Sequence, residues 1–308
     1  MKVLNVSFNM LKKLNKNGEV LKNCSLSSMT TLKVGGIASY LVKISTLEGF
    51  IKVMMYIDSI KCPYFVIGNG SNILASDSGY CGVLIKLVGD FDRILIKDTE
   101  MECGAGVSLA KAYVFAREKH LSGFESGATI PASIGGATYM NASAHDFEMA
   151  KIIDYVVAYH QGKITYLKNS DCEFGYRKSI FQNNEYIILR VGFKLIKDSQ
   201  ENIMNRHDES LQKRLDTQPL QYPNAGCIFK RIDGLNVSKM LDDMGCKGYS
   251  VGGAEVSKKH ANFIINNHAT SLDIKNLIEK IKEQFYLKYN IKLMEEINYL
   301  GEFDEINR

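Results

Sequence analysis

The sequence predicts an α+β protein of more than one domain, and three observations predict it. Short apolar, β-branched runs are interspersed with segments whose apolar residues recur at helical spacing. Two glycine-rich loops lie in the first two-thirds of the chain, with none of comparable density afterwards. A polar, charged stretch over residues 197–215 then changes the composition abruptly, and 308 residues exceed a comfortable single domain.

Taken in order, Ser45-Thr46-Leu47-Glu48 has the form of a capping box, and Phe50, Ile51, Met54 and Ile57 follow at helical spacing, so a helix is expected as far as Lys61. Residues 64–67 read as a buried strand running into GNGSN, residues 68–72. Residues 82–85 and 94–96 read as further strands, and Ser108 caps an expected second helix through Leu121. Residues 155–167 have the pattern of a hairpin turning at Gln161-Gly162, and residues 186–193 form another β-branched run. The charged stretch over 197–215 reads as a solvated helix leading into a new domain. Beyond it lie a short helix over 236–244, stopped by Gly245, and a long helix opening at Thr270 or Ser271 with Leu277, Ile278, Ile281 and Phe285 on one face.

The formal net charge of +4 is spread along the chain, which gives no support to nucleic-acid binding but leaves room for a mildly basic cleft for an anionic small molecule. The seven cysteines have no C-x-x-C pair and an odd total, which argues against a disulfide framework and against a zinc site, so no metal is expected and a reducing cytoplasm fits. No apolar run approaches the ~20 residues of a membrane helix, and lysines interrupt the N-terminal segment where an export signal would need an apolar core. Nothing in the sequence bears on oligomeric state.

Closely spaced glycines in GNGSN let backbone N–H groups approach a phosphate, although the third glycine of a dinucleotide fingerprint is replaced by Ile73 and an ordinary tight turn explains the loop equally well. The second loop, GATIPASIGGATYMNA over 127–142, joins a proline, small residues and Gly135-Gly136 ahead of an expected extended segment. Together the two loops can hold two parts of one large cofactor. Arg177 stands among aromatics in FGYRKSIF, where it either covers apolar surface or offers a cationic fork to a carboxylate. Taken singly, Glu295 and Glu296 are more often surface charges, and Cys227 in YPNAGCIFKR more often buried filler.

In this order and spacing, TTLKVGG (30–36), GNGSNIL, IPASIGGATYMNA, FGYRKSIF, NAGCIFKR and LMEEINYLG resemble the motifs of the UDP-N-acetylenolpyruvoylglucosamine reductase family over nearly the whole chain. VSKKHANFIIN (256–266) and the uninterrupted run after the arginine motif resemble the branch without an extra tyrosine-bearing loop. The resemblance implies an FAD-binding fold of the vanillyl-alcohol-oxidase (PCMH) type. Residues 1–88 and 89–198 would be the two FAD-binding subdomains and 199–308 a C-terminal α+β substrate domain.

It further implies that FAD is lined by Gly68, Asn69, Gly70, Ser71, Asn72 and Ile73 and by Ile130, Pro131, Ser133, Ile134, Gly135, Gly136, Asn141 and Ala142. Arg177 and Glu296 fall on the family's catalytic arginine and glutamate. The spacing to Ile297 and Gly301 selects Glu296 over Glu295. Tyr176 and Lys230 would face the substrate, a UDP-sugar, with NADPH as hydride donor. Cys227 stands where most members have the serine that protonates the substrate, and a thiol with an ordinary pKa near ~8.5 is a far better acid than a hydroxyl. Thr129 and Ala132 stand where the family often has glycine, Asn298 where it commonly has arginine, and Ile232 where proline is usual. The competing readings are a flavin oxidase or dehydrogenase of the same fold with another substrate, and a catalytically silent sugar-nucleotide binder.

Overall fold

The computed structural model describes residues 6–183 and 186–303; the first five residues of the N-terminal segment lie outside it. The helices are α1 (Phe8–Leu14), α2 (Leu47–Ser59), α3 (Leu109–Glu118), α4 (Ile134–Tyr139), α5 (Met149–Ile152), α6 (Gln200–Thr217), α7 (Val237–Asp243) and α8 (Ser271–Tyr289). None of the described helices is long and apolar enough to cross a membrane. The chain packs as two compact units that interleave along the sequence. Of the described residues, the first contains 6–22, 40–69, 82–183 and 186–213, and the second contains 23–39, 70–81 and 214–303.

In the first unit, α2 buries Phe50, Val53, Met54 and Ile57 completely. At ~1.5–3 kcal/mol for each fully buried large apolar side chain, that face rather than helix propensity holds α2 in place. Its cap is Thr46, whose hydroxyl accepts from Gly49 N at 3.1 Å, one residue later than the expected box, because Ser45 Oγ instead donates to the Asn17 carbonyl at 2.6 Å. Ser108 caps α3 as expected, accepting from Lys111 N. Within this unit the strand Tyr64–Val66 runs parallel to residues 83–85 of the strand Tyr80–Leu87, Tyr64 opposite Val83 and Val66 opposite Ile85. A sheet of five strands runs in the order Lys163–Lys168, Ile153–His160, Tyr186–Lys194, Glu100–Gly104, Ile94–Lys97. Its hairpin turns at Gln161 and Gly162, both at positive φ (46° and 83°), the geometry of a two-residue turn that matches strand twist.

In the second unit, an antiparallel sheet runs in the order Asn224–Cys227, Phe263–Asn266, Ala254–Val256, Ser250–Val251, and α8 buries Ile274, Leu277, Ile278, Ile281 and Phe285 in the same core. A separate parallel pair joins Asn298–Leu300 to Ile73–Ala75, so the last strand of the chain pairs with the strand that leaves the first glycine loop. The expected helix over the charged stretch is α6, but it is not wholly solvated. Ile203 is fully buried in the first unit, and Arg214 is buried in the second. A stop at Gly245 (φ 76°) after α7 and a Thr270 cap with its Asp273 capping box on α8 both form as the sequence indicates.

Candidate active site

The first glycine loop follows strand Tyr64–Val66, with Ile67 N donating to the Ile85 carbonyl at 2.9 Å. Gly68 lies so close to Ser133 that a Cβ at position 68 would run into Ser133 Oγ, so only glycine lets the first and second loops meet. Gly70 belongs to the second unit. Its φ is +64°, and a Cβ there would strike the Met29 carbonyl. Its own carbonyl accepts from Thr31 N at 3.1 Å, while Thr31 Oγ1 donates to the Asn224 carbonyl at 2.7 Å. The TTLKVGG segment therefore ties the first loop to the start of NAGCIFKR. Of the remaining loop residues, Ile73 is buried in its strand, and Asn72 directs its amide to the Glu296 carbonyl at 3.0 Å.

The second loop differs from expectation: the segment after Gly135-Gly136 is not extended but is the short helix α4. Ser133 makes the difference, because its buried hydroxyl accepts from Gly136 N at 3.2 Å and caps the turn, while Leu109 N to Ala132 O, Ile134 N to Val107 O and Gly135 N to Ala105 O stitch the loop to the chain entering α3. Ile130 and Pro131 precede this cap, the latter exposed. Asn141, which is 1% exposed and at φ 41°, donates to Glu148 Oε1 and to the Gly175 carbonyl, both at 2.9 Å, and accepts from Ala150 N. Its amide is thus bound within the protein, and one of its partners lies two residues before Arg177. The neighbouring Ala142 donates through its backbone N to the Ala137 carbonyl and accepts at its own carbonyl from Met149 N.

Gly175 and Lys178 exchange both backbone hydrogen bonds at 3.1 Å, leaving Tyr176 and Arg177 at the tip of a tight turn. Arg177 sits there at φ 51°, in the left-handed region that a long side chain seldom occupies. Its guanidinium donates to Ser143 Oγ at 2.8 Å and lies 5.4 Å from the ring centre of the exposed Tyr176. Gln182 Nε2 holds the Arg177 carbonyl at 3.1 Å from below the turn.

The last two motifs are zipped together in the second unit. Glu296 N donates to the Ile228 carbonyl at 2.7 Å, Lys230 N donates to the Met294 carbonyl at 2.8 Å, and Phe229 bridges to Glu295 between them. Cys227, half-buried, immediately precedes this zipper and follows a bulge at Gly226. Asn262 locks the arrangement: its Oδ1 accepts from Phe229 N and its Nδ2 donates to the Phe229 carbonyl, each at 2.9 Å. From the other side Asn72 holds the Glu296 carbonyl, and Asn298 N donates to the Asn72 carbonyl at 3.0 Å.

The two adjacent glutamates are also separated by environment. Glu295 is taken by Lys282 Nζ at 2.6 Å and by the Tyr299 hydroxyl at 2.5 Å, and burial together with that carboxylate raises the Tyr299 phenol far above its ordinary range. Glu296 belongs to neither contact. The sequence alone suggests a folding role in the C-terminal domain for His260 and Asn262 without naming a partner, and it does not mark Asn224 or Thr31 as holding these motifs. The partners of Asn262 and Thr31 lie 33 and 39 to 193 residues away, separations that leave no local pattern to find, whereas Asn224 closes onto neighbours only 2 to 5 residues away.

A family model described as FAD binding domain matches residues 38–161, and one described as UDP-N-acetylenolpyruvoylglucosamine reductase, C-terminal domain, matches residues 218–300. The reductase of that name from Caldanaerobacter subterraneus subsp. tengcongensis is 38% identical over 294 residues, covering 95% of this chain and 97% of its own. That of Clostridium kluyveri is 40% identical over 275 residues, covering 89% and 90%. Among solved structures, the crystal structure of the reductase from Thermus caldophilus superposes with a TM-score of 0.80 at 33% identity, covering 92% of this chain and 99% of that one. The α+β architecture with an FAD-binding part and a C-terminal domain is the one the sequence implied. With likeness of this degree along almost its entire length, the chain belongs to the UDP-N-acetylenolpyruvoylglucosamine reductase family and is an FAD-binding oxidoreductase.

Proposed function

We propose that this protein reduces UDP-N-acetyl-3-O-(1-carboxyvinyl)glucosamine to UDP-N-acetylmuramate, an NADPH-dependent step in making the peptidoglycan precursor. The observation that carries the reading is the zipper of the two C-terminal motifs. Cys227 precedes the Ile228 carbonyl that binds Glu296 N, so a thiol and a carboxyl group are borne on paired segments, locked from both sides by Asn262 and Asn72.

The residues present fit FAD. Gly68, having no Cβ, lets the first glycine-rich backbone come up against the Ser133 side chain at the head of the second, the close approach that a large ligand with phosphates and a flat ring requires. Gly68 to Ile73 and Ile130 to Ala142 would hold it, Asn141 acting through its grip on the Gly175 carbonyl. Held there, FAD would supply the hydride-transfer chemistry, with NADPH as the hydride donor and C3 of the enol ether as the acceptor.

This chain's own groups manage the charge and the proton. As C3 gains hydride, negative charge develops on the enolpyruvyl carboxylate. The Arg177 fork, presented at the tip of its turn, and Glu296, acting as a protonated donor, stabilise that charge. The Cys227 S–H bond then breaks, its proton forms the new C–H bond at C2, and the electron pair stays on sulfur. Lys230 meets the substrate's phosphates, and Tyr176 lies against the substrate beside Arg177.

The test is a two-step anaerobic titration of the purified protein. The yellow flavin band bleaches on adding NADPH and returns on adding the enolpyruvyl sugar nucleotide. Cys227→Ser keeps substantial turnover, whereas Cys227→Ala bleaches normally and fails to recover. A preparation that takes up no FAD, or one that bleaches but is not reoxidised by that substrate, would rule the reading out.

A further inference from the structure

The tight turn at 175–178 fixes the backbone of Arg177, but the side chain beyond it is long and rotamer-rich, so the turn alone does not decide where the guanidinium lies. Ser143 decides it. Arg177 Nη1 donates to Ser143 Oγ at 2.8 Å and Nη2 donates to the Ser143 carbonyl at a longer 3.4 Å, so one residue receives both arms of the fork.

Ser143 stands on a hairpin that is itself anchored. Ser143–Ala144 pairs with Phe147–Glu148 across a turn containing His145 at φ 53°, with Ser143 opposite Glu148. The Phe147 ring is buried against Gly127, where a Cβ would strike it. At the foot of the hairpin Asn141 Nδ2 donates to Glu148 Oε1 at 2.9 Å, and Asn141 Oδ1 accepts from Ala150 N at 3.0 Å. The same Nδ2 donates to the Gly175 carbonyl at the base of the arginine turn. One buried amide therefore joins the hairpin that bears Ser143 to the turn that bears Arg177, and the bond between those two residues closes the circuit.

A hydroxyl suits this place chemically. It orients a guanidinium without cancelling its charge, whereas a carboxylate in the same position would compete with an anionic substrate. The carboxylate directly across the pair, Glu148, is engaged by Asn141 and lies 4.0 Å from Lys151 Nζ.

We propose that Ser143 is a positioning residue that aims the Arg177 guanidinium at the substrate carboxylate on which negative charge develops. The inference rests on the reading of Arg177 as the group that meets that charge.

Stopped-flow absorbance on the FAD-loaded protein, reduced with NADPH and then mixed anaerobically with saturating enolpyruvyl sugar nucleotide, tests it. Ser143→Ala slows reoxidation by about 10- to 100-fold, the effect of losing a hydrogen bond to a charged group, and leaves bleaching by NADPH within about twofold of wild type. Ser143→Thr keeps the hydroxyl and restores most of the rate. In an Arg177→Ala background, itself slow in reoxidation, Ser143→Ala costs less than about twofold more, because the group it aims is gone. Wild-type reoxidation in Ser143→Ala overturns the proposal, as does an equal loss in both half-reactions or an undiminished loss in the Arg177→Ala background. Normal reoxidation of Arg177→Ala with Ser143 in place is a separate result, which removes the catalytic reading of Arg177 and this inference with it.

Discussion

Asn141 in the first unit and Asn262 in the second are both buried, and each spends its side-chain amide on the backbone of a motif that carries a candidate catalytic group. Their surroundings differ. Asn262 binds both polar groups of Phe229, which is 2% exposed and already sits in a zipper of backbone hydrogen bonds. Asn141 binds the carbonyl of half-buried Gly175, at the base of a turn whose tip, Arg177, is in a left-handed conformation. One amide completes a buried, fully hydrogen-bonded arrangement, while the other restrains a conformation that the turn would not favour by itself. The same residue type therefore contributes mainly stability in one place and mainly geometry in the other.

The largest effect that would break this comparison is at position 262. Asn262→Leu conserves volume but leaves the buried Phe229 N–H and C=O unmatched, at about 1–3 kcal/mol each. We expect a loss of about 2–5 kcal/mol in urea unfolding, accompanied by loss of turnover. A loss below about 0.5 kcal/mol would mean that the zipper needs no lock.

At position 141 the expectation is reversed. Asn141→Gly removes the amide without penalising the positive φ, and water can reach the half-buried Gly175 carbonyl, so the stability loss should stay near about 1 kcal/mol. Freed from its anchor, the turn lets the Arg177 guanidinium wander, and misplacement on the scale of an ångström costs on the order of 100-fold in rate. The loss should fall on reoxidation of the flavin by substrate and spare its bleaching by NADPH. Equal loss in both half-reactions would assign Asn141 to the cofactor loop itself.

How much of this was legible in the sequence follows from the range of each interaction. Caps and turns were readable because their partners lie three or four residues away: Ser108 on α3, Thr270 on α8 and the turn at Gln161-Gly162. The capping box at α2 was displaced by one residue because Ser45 is drawn off by the Asn17 carbonyl, 28 residues distant. Helix α4 was missed because adjacent glycines disfavour a helix locally, and its support comes from Ala105 and Val107 across the fold. The motifs themselves stood out as sequence, with Asn141 among them as a cofactor-lining residue, but the backbone partners that Asn141 and Asn262 hold did not, since an amide that reaches across 33 or 34 residues has no periodicity.

The smallest effect sharpens the comparison through acid. In the second unit His260 Nδ1 accepts from Asn262 N at 3.2 Å, and burial, helped by the Lys247 charge, holds its imidazole below the ordinary value of 6.5. Below pH 6.5 the unfolded chain binds a proton that the folded one resists, so this contribution to stability is full above 6.5 and is lost as pH falls through the lowered folded value. In the first unit the counterpart is Glu125. Burial pushes its carboxyl up, but Arg206, Ser122 and the Gly123 N–H outweigh burial and hold it below 4.5. Its contribution is therefore intact above 4.5 and is lost only in stronger acid. Urea unfolding between pH 7.5 and 5 should show stability falling in the wild type and falling less in His260→Gln, while Glu125→Gln keeps the wild-type slope over that range. Parallel slopes for wild type and His260→Gln would show that the imidazole titrates freely, and the lock on Phe229 would then owe nothing to a neutral histidine behind Asn262.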